Sequence, residues 1–153
     1  GLPKVFNNGS ATPAISSTYD PVANKVVIAY RDNDNSNYGT AVVGTVSGDS
    51  ITFGAPVVFN TNGNTAQISA TYDPVNSKVV IFYQDGGNSN CGTVIAGTVS
   101  DDSISFGTPE VFNSETTSFI SSTYDSVASK VVIAYQDYGN SQYGTAVTCG
   151  ADA

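Results

Sequence analysis

The sequence contains no histidine, methionine or tryptophan, and only five of its 153 residues are lysine or arginine. Without histidine, the chain has no ordinary Ser-His-Asp or Cys-His nucleophilic site and no histidine metal site. Its formal net charge is −8, and it has no basic stripe that could neutralise phosphates. We therefore expect a protein that is not an enzyme and that binds neither nucleic acid nor anionic membranes.

Long apolar runs and paired cysteines are also missing. No run approaches the roughly 20 residues that cross a bilayer, so membrane insertion is not expected. The amino terminus lacks the basic and apolar regions of a signal peptide, and because the chain begins at Gly1, an export signal that had been removed would leave no trace. The two cysteines, Cys91 and Cys149, do not form a repeated pair. We interpret them as separate thiols, with a disulfide or a metal pair as the alternative, and the redox compartment stays undetermined.

The sequence contains one stretch that occurs three times in nearly the same form. Residues 18–32, 71–85 and 123–137 are nearly the same, and their tyrosines at positions 19, 72 and 124 are 53 and 52 residues apart. Such a period is typical of stacked supersecondary units. We divide the chain into a partial repeat connector (1–13), two full units (14–66 and 67–118) and a third unit (119–153) that lacks a counterpart of residues 51–53.

Each full unit is predicted to hold four short strands. In the first unit they lie near 14–19, 25–31, 39–46 and 51–54, separated by turn-forming residues. The first strand is rich in small side chains, which suits a crowded place. The second strand is apolar on both faces, which is typical of a strand covered on both sides. No stretch has sustained helical periodicity, so helix content should be close to nil.

These features favour an all-β protein made of β-propeller blades, with four antiparallel strands per blade. A β-trefoil and a three-sided β-prism also contain three four-stranded units, and both remain alternatives. In those folds each sheet has a more exposed side, which the second strand argues against. The propeller is therefore our first prediction.

The repeats resemble the tandem blades of β-propeller proteins found in phage fibres and in microbial surface or lectin-like proteins. The resemblance covers essentially all 153 residues and rests on repeat style. It implies a binding or display role, an extracellular or particle-surface location, and the possibility that chains with few blades assemble into a full ring. It transfers no site, because fucose-binding propeller lectins typically present tryptophan with arginine and glutamate in each pocket, and this chain has no tryptophan.

The number of units leads to a prediction about partners. Closed propellers generally need at least about four blades, so three cannot close alone. We expect a head-to-tail homodimer that completes a six-bladed ring. The alternative is that these residues are a piece of a longer tandem array.

The loop between the second and third strands is the candidate binding site. In a blade it lies on the same face as the connectors between units, and here it combines a recurrent carboxylate, amides and a nearby tyrosine, which suit a glycan or another polar surface ligand. An ordinary solvated hairpin loop is the alternative. The candidate ligand-binding residues are Tyr30, Arg31, Asp32 and Asn35 in the first unit, Tyr83, Gln84, Asp85 and Asn88 in the second, and Tyr135, Gln136, Asp137 and Asn140 in the third.

Two further sets of oxygen-bearing residues are candidates for a calcium site and for turns. Asp32, Asp34 and Ser36 alternate along the first loop, as calcium ligands do, although the Gly and Glu of a 12-residue calcium loop are replaced by other residues. An Asn-rich turn is the alternative to calcium, and no other cofactor is expected. The recurrent Asp20, Asp73 and Asp125 are predicted to form turns, with a possible ion pair to the lysine five residues later.

Two functions follow as hypotheses. The first is a non-enzymatic, lectin-like binding module that uses repeated loop sites. The alternative is a structural or display repeat, natural or engineered, that has no small-molecule ligand. Nothing in the repeats points to a specific ligand.

Overall fold

The computed structural model describes residues 1–150, and the all-β prediction is confirmed. These residues contain no α-helix, hence none able to cross a membrane, and one 3₁₀ turn at Tyr138–Asn140. The strands are β1 (Ser16–Asp20), β2 (Lys25–Asp32), β3 (Tyr38–Ser47), β4 (Ser50–Phe53), β5 (Val57–Asn60), β6 (Thr65–Asp73), β7 (Lys78–Asp85), β8 (Cys91–Ser100), β9 (Ser103–Phe106), β10 (Glu110–Asp125), β11 (Lys130–Asp137) and β12 (Tyr143–Cys149). The four strands predicted for the first unit agree with β1 to β4 within about two residues.

The strands form two antiparallel sheets, and neither closes on itself. The five-stranded sheet has the order β1-β2-β3-β4, with β5 also paired to β3. The seven-stranded sheet has the order β12-β11-β10-β8-β7-β6, with β9 also paired to β8. Strand β10 joins the second and third repeats, because its first part pairs with β8 and its second part with β11.

The outer edge of each full unit is formed by two strand segments, whereas the sequence predicts only one. β4 pairs with the last residues of β3, and β5 pairs with the first residues. Residues 54–56 (Gly-Ala-Pro) lie between them, and the Gly54 N–H donates to the Val43 carbonyl (2.9 Å). Val57–Asn60 is thus a fifth strand, outside the four predicted for the unit, and it leads directly into the next unit.

The first strands of successive units lie side by side. The Ser69 and Ser122 hydroxyl oxygens are 2.8 Å apart, and the Ala70 N–H donates to Ser16 Oγ (2.9 Å). Small hydroxyl side chains permit this close approach, as their recurrence suggested. Each of these strands is preceded or interrupted by a non-glycine residue in the left-handed region, at Ala14, Gln67 and Phe119 (φ 54°, 52° and 52°). The register of β6 shifts across Gln67, and that of β10 across Phe119.

The core lies between the units rather than within one of them. One cluster joins the first two repeats and contains Val27, Ala29, Val79, Ile81 and Tyr83, among others. The other joins the last two and contains Val80, Phe82, Val131, Ile133 and Tyr135, among others. Five consecutive residues of β7, Val79–Tyr83, are at most 1% exposed, so the prediction of a second strand covered on both sides is confirmed for the middle unit. In β2 and β11 one face keeps half-buried or exposed side chains, so the prediction does not hold for the two outer units.

Candidate functional site

The candidate loops, at 33–37, 86–90 and 138–142, lie beside the connectors between repeats. The Thr65 N–H, at the start of β6, donates to the Asn37 carbonyl of the first loop (3.0 Å). The Thr117 N–H makes the equivalent bond to the Asn90 carbonyl of the second loop (3.0 Å). The first two loops and the connectors therefore share one face of the molecule, as predicted from the repeat pattern.

A buried side-chain cluster, which we call the clasp, ties the first connector to the second loop. Asn60 Nδ2 donates to Thr65 Oγ1 (3.0 Å) and to Asp85 Oδ1 (3.4 Å). Asn62 Nδ2 donates to the other oxygen of the same carboxylate (3.3 Å), and the Gly87 N–H donates to Oδ1 (3.1 Å). Asp85 is only 6% exposed. Its carboxylate therefore holds the loop and the connector together, and little of it is open to a ligand.

The clasp recurs in the third unit. Asn113 Nδ2 donates to Thr117 Oγ1 (2.9 Å) and to Asp137 Oδ1 (3.2 Å), and that oxygen also accepts from the Gly139 N–H (3.0 Å). In the first unit Asn7 Nδ2 donates to Thr12 Oγ1 (3.1 Å). The aspartates were predicted from the sequence as candidate site residues, but these asparagines were not. Their signal was present, because each is the last residue of a repeated Val-Phe-Asn.

The three candidate tyrosines lie in the core. Tyr30, Tyr83 and Tyr135 are 1%, 0% and 8% exposed. Each packs against the phenylalanine of a Val-Phe-Asn segment, with ring centroids 5.2 to 5.3 Å apart. Burial, and next the charge of Asp85, raise the pKa of the Tyr83 hydroxyl far above its usual range. These rings have almost no surface left to offer as an apolar platform for a sugar.

Arg31, which breaks the repeat, joins its loop to the following connector. Its Nε donates to Asn33 Oδ1 (2.9 Å) and its Nη1 to Asn64 Oδ1 (3.1 Å). Gln84, at the equivalent position, donates from Nε2 to the Thr117 carbonyl (2.7 Å). Arginine and glutamine therefore make the same kind of bridge. Gln136, their counterpart in the third unit, is half-buried.

The remaining candidates differ, because Asn35, Asn88 and Asn140 are all exposed. Their backbones are fixed: the Asn35 N–H donates to the Asp32 carbonyl (3.2 Å), and the Asn88 N–H donates to the Asp85 carbonyl (3.1 Å). The chain matches no protein-family model, no curated protein and no solved structure.

Two of the three residues that alternate like calcium ligands, Asp32 and Asp34, already accept hydrogen bonds within the protein. Asp34 accepts from the Ser10 N–H (2.7 Å) and the Ser10 hydroxyl (2.5 Å), and these hydrogen bonds lower the pKa of its carboxyl group. Asp32 Oδ1 accepts from the Asp34 N–H (3.2 Å). Ser36 is exposed at the loop tip. Residues 1–150 contain no cluster of three His, Cys, Asp or Glu side chains that could hold a metal ion.

The recurrent aspartates that follow the first strands form turns, as predicted. Asp20 Oδ1 accepts from the N–H groups of Val22 (2.9 Å) and Ala23 (3.0 Å). In the first unit, Lys25 pairs with a carboxylate other than that of Asp20, which the sequence suggested as its partner. Lys25 Nζ lies 2.7 Å from Asp102 Oδ1 in the next repeat, so this pair joins two units.

A groove of about 880 Å³ lies at the opposite ends of the strands from the candidate loops. It is lined by residues 1–4 and 49–52. Strand β3 begins beside the first loop at Tyr38 and ends near the groove at Ser47, so the loop and the groove lie at opposite ends of this strand. The groove contains none of the candidate residues, and we do not assign the ligand site to it.

Proposed function

We propose that this protein is a non-enzymatic binding module that recognises a hydroxyl-rich ligand, such as a glycan, through its loop face. The observation that carries the proposal is that exposed amides recur on the three loops, and that the clasp ties the second and third of these loops to a connector through Asp85 and Asp137. Asn35, Asn88 and Asn140 are the common residues of this surface. Asp32, Asp85 and Asp137 position the loops and are not the main contacts.

The chemistry of an amide suits such a ligand. Each asparagine side chain offers two donors and an acceptor with two lone pairs, and a sugar hydroxyl can pair with either kind. Because the clasp and the backbone hydrogen bonds already hold the second loop, less conformational freedom would be lost on binding. The loops differ between units at positions 33–34, 86–87 and 138–139 (Asn-Asp, Gly-Gly and Tyr-Gly), so the sites should not be equivalent.

We further propose that the repeats are blades of a β-propeller. Three observations support this architecture. The outer strand of one unit leads into the first strand of the next, first strands of neighbouring units touch, and β7 is covered on both sides. The description as blades also accounts for a core that lies between units.

A glycan array tests the ligand class. We expect retention of a set of polar glycans by the 153-residue protein. Loss of that retention in the variant Asn35→Ala/Asn88→Ala/Asn140→Ala would locate the site on the loop face. The control is Thr52→Ala/Thr108→Ala, two exposed positions away from the loops. Equal retention by both variants would contradict the proposed site.

A structural or display repeat without a small-molecule ligand is the second candidate. It is favoured by the fact that the recurrent polar residues of the loops and connectors contact one another across unit boundaries. A folded protein that retains no glycan, and whose loop variant behaves like wild type in every binding assay, would support this function.

A further inference from the structure

Two surfaces of the molecule repeat the residues that are buried at the junction between the first two units. In the junction between the first two units, Val27, Ala29 and Ala41 pack in one cluster with Val79, Ile81 and Tyr83, and all six side chains are 0% exposed. This cluster defines two complementary surfaces. One belongs to β2 and β3, and the other belongs mainly to β7.

The first of these surfaces recurs, uncovered, on the third unit. Val132, Ala134 and Ala146 are the counterparts of Val27, Ala29 and Ala41. Val132 is half-buried, and both alanines are exposed. The second surface recurs on the first unit, where Val26, Ile28 and Tyr30 are the counterparts of Val79, Ile81 and Tyr83. Val26 and Ile28 are half-buried, and Tyr30 is covered by Phe6 of the same chain. We call these surfaces the trailing face and the leading face.

Polar residues follow the same rule. Tyr72 is 8% exposed, and Asp20 of the preceding unit is 4% exposed. Burial, and to a lesser extent the charge of Asp20, raise the pKa of the Tyr72 hydroxyl. The counterpart of Asp20 on the trailing face is Asp125, which is exposed. The counterpart of Tyr72 on the leading face is Tyr19, which is 51% exposed. Asp125 and Tyr19 are therefore both exposed, whereas their counterparts Asp20 and Tyr72 are buried at the junction. Joining a trailing face to a leading face would bring Asp125 of one face to Tyr19 of the other.

An ion pair adds a further match. Lys25 of the first unit pairs with Asp102 of the second at 2.7 Å. Lys130 on the third unit is the counterpart of Lys25, and Asp49 on the first unit is the counterpart of Asp102. Both Lys130 and Asp49 are exposed. Joining the trailing face to a leading face would bring these opposite charges together.

The open strand edge is also complementary. Among residues 1–150, only β11 pairs with β12, so the outer edge of β12 is open. Residues 3–7 repeat residues 56–60, and Phe6 packs on Tyr30 and Phe53 as Phe59 packs on Tyr83 and Phe106. Residues 3–7 thus sit where the outer strand of a preceding unit would sit, but without a sheet beside them.

A glycine near the start of each third strand marks the place where the phenylalanine of the outer strand packs. A Cβ atom on Gly39 would lie 2.4 Å from the Phe59 ring, and one on Gly92 would lie 2.6 Å from the Phe112 ring. These glycines make room for the phenylalanine of the outer strand. Gly144 is their counterpart in β12, and a Cβ atom there would meet nothing within 4 Å. Among residues 1–150, no phenylalanine packs on Gly144 as Phe59 and Phe112 pack on the other two glycines.

We propose that the trailing face binds the leading face of a second copy of this chain, head to tail, with residues 4–7 of that copy added to the edge of β12. The register of β5 on β3 places Val5 of the second copy opposite Thr145, and Asn7 opposite Gly144. The occupant is a second copy because the two faces reproduce an existing junction in its apolar, hydroxyl and charged residues. This inference does not depend on the proposed ligand.

A disulfide cross-link tests the register. Facing residues in an antiparallel pair have Cα atoms about 4.5 to 5.5 Å apart, a distance that a disulfide can bridge. In a Cys149→Ser background, Val5→Cys/Thr145→Cys should form covalent oligomers on mild oxidation. The matched control, Val5→Cys/Thr148→Cys, places the second thiol three residues along β12 and should form far fewer. Equal yields from both pairs would overturn the register.

The variant Gly144→Val tests the interface itself. By light scattering at tens of micromolar, the wild-type chain should have about twice the 15.7 kDa mass of one chain. The added side chain has free space in the single chain but would meet Phe6 of the second copy, so it should raise the dissociation constant about tenfold or more. Its unfolding midpoint, measured at a concentration where wild type is monomeric, should not change. A wild-type monomer at every concentration, or a variant that associates as wild type does, would overturn the proposal.

Discussion

Asn60, the last residue of β5, donates a hydrogen bond to Asp85, the last residue of β7 (3.4 Å). The two residues belong to different repeats, and they are 5% and 6% exposed. A buried carboxylate is stable only when its oxygens accept hydrogen bonds, and those of Asp85 accept from Asn60, Asn62 and Gly87. The clasp therefore makes this acidic residue part of the fold.

The first prediction concerns the stability of the clasp. Asp85→Ala would leave the buried Asn60 amide without one acceptor and the Gly87 N–H without its partner, so we expect it to lower the free energy of unfolding by about 1–3 kcal/mol. Glu110→Ala, at an exposed carboxylate on β10, is the control and should change it by only a few tenths. Urea unfolding followed by circular dichroism measures both values.

The triple variant Asp32→Ala/Asp85→Ala/Asp137→Ala distinguishes a structural role of these aspartates from a role in ligand binding. The hydrogen bonds of Asp85 and Asp137 lead us to expect a clearly destabilised triple variant. If that variant unfolds at the wild-type urea concentration, the clasp contributes little and the aspartates are again candidates for direct ligand contacts.

The second prediction concerns Arg31. Because Gln84 makes an equivalent bridge to the next connector, Arg31→Gln should keep the stability of the protein within about 0.5 kcal/mol. Arg31→Ala removes both of its hydrogen bonds and should cost about 1 kcal/mol. Thermal unfolding of the two variants compares them directly. A glutamine variant as unstable as the alanine variant would show that the guanidinium has a role that glutamine does not share.

Much of the fold could be predicted because it depends on local pattern. The β-branched run Val79-Val80-Ile81, followed by Phe82 and Tyr83, has no polar face, and the structure covers it on both sides. The β5 strand was missed because glycine and proline at residues 54–56 resemble the end of an element. Its partner, the beginning of β3, is almost 20 residues away in sequence, and local propensity carries no information about such a pairing.

The site was harder to predict than the fold. Asp85 looked like a loop carboxylate because it follows a strand and precedes Gly86-Gly87, a typical turn sequence. Its main partner, Asn60, lies 25 residues earlier, and only the packing of successive units brings the two together. The burial of Tyr83 has the same origin, since the ring is covered by Phe59 of the preceding unit. Asn35 and the equivalent asparagines lie in local turns and are exposed, so their positions depend little on such long-range packing.

The third prediction concerns the phenylalanine that links neighbouring units. Phe59 is 7% exposed and contacts Tyr83 and Phe106, so Phe59→Ala should cost about 3–5 kcal/mol. Phe6→Ala removes the same contacts from a half-buried ring at the leading face and should cost less. Unfolding must be measured at a concentration where the chain is monomeric, since association would add to the Phe6 effect. Equal losses of unfolding free energy in the two variants would show that Phe6, which has no sheet beside it, is held as tightly as Phe59.

The fourth prediction concerns alkaline pH. Burial is the main cause that raises the pKa of Tyr83 in the folded state above its ordinary value of 10.0, and burial likewise raises the pKa values of Tyr30 and Tyr135. Above pH 10 the unfolded chain ionises at these positions while the folded chain retains its protons. The unfolded state then binds fewer protons than the folded state, so stability must fall as pH rises. The stabilisation is complete below pH 10 and is lost between pH 10 and the raised pKa values of the folded state.

Two measurements check this expectation. Phenolate absorbance should rise in two phases above pH 10, with the second phase coinciding with the loss of the β-sheet circular dichroism signal. Tyr83→Phe keeps the ring contact with Phe59 but has no ionisable group, so its stability should fall less steeply with pH above 10 than that of wild type. The control, Tyr143→Phe, changes a ring that is 63% exposed and should leave the slope as it is. If both variants lose stability as steeply as wild type, ionisation of the buried Tyr83 hydroxyl is not what couples unfolding to alkaline pH.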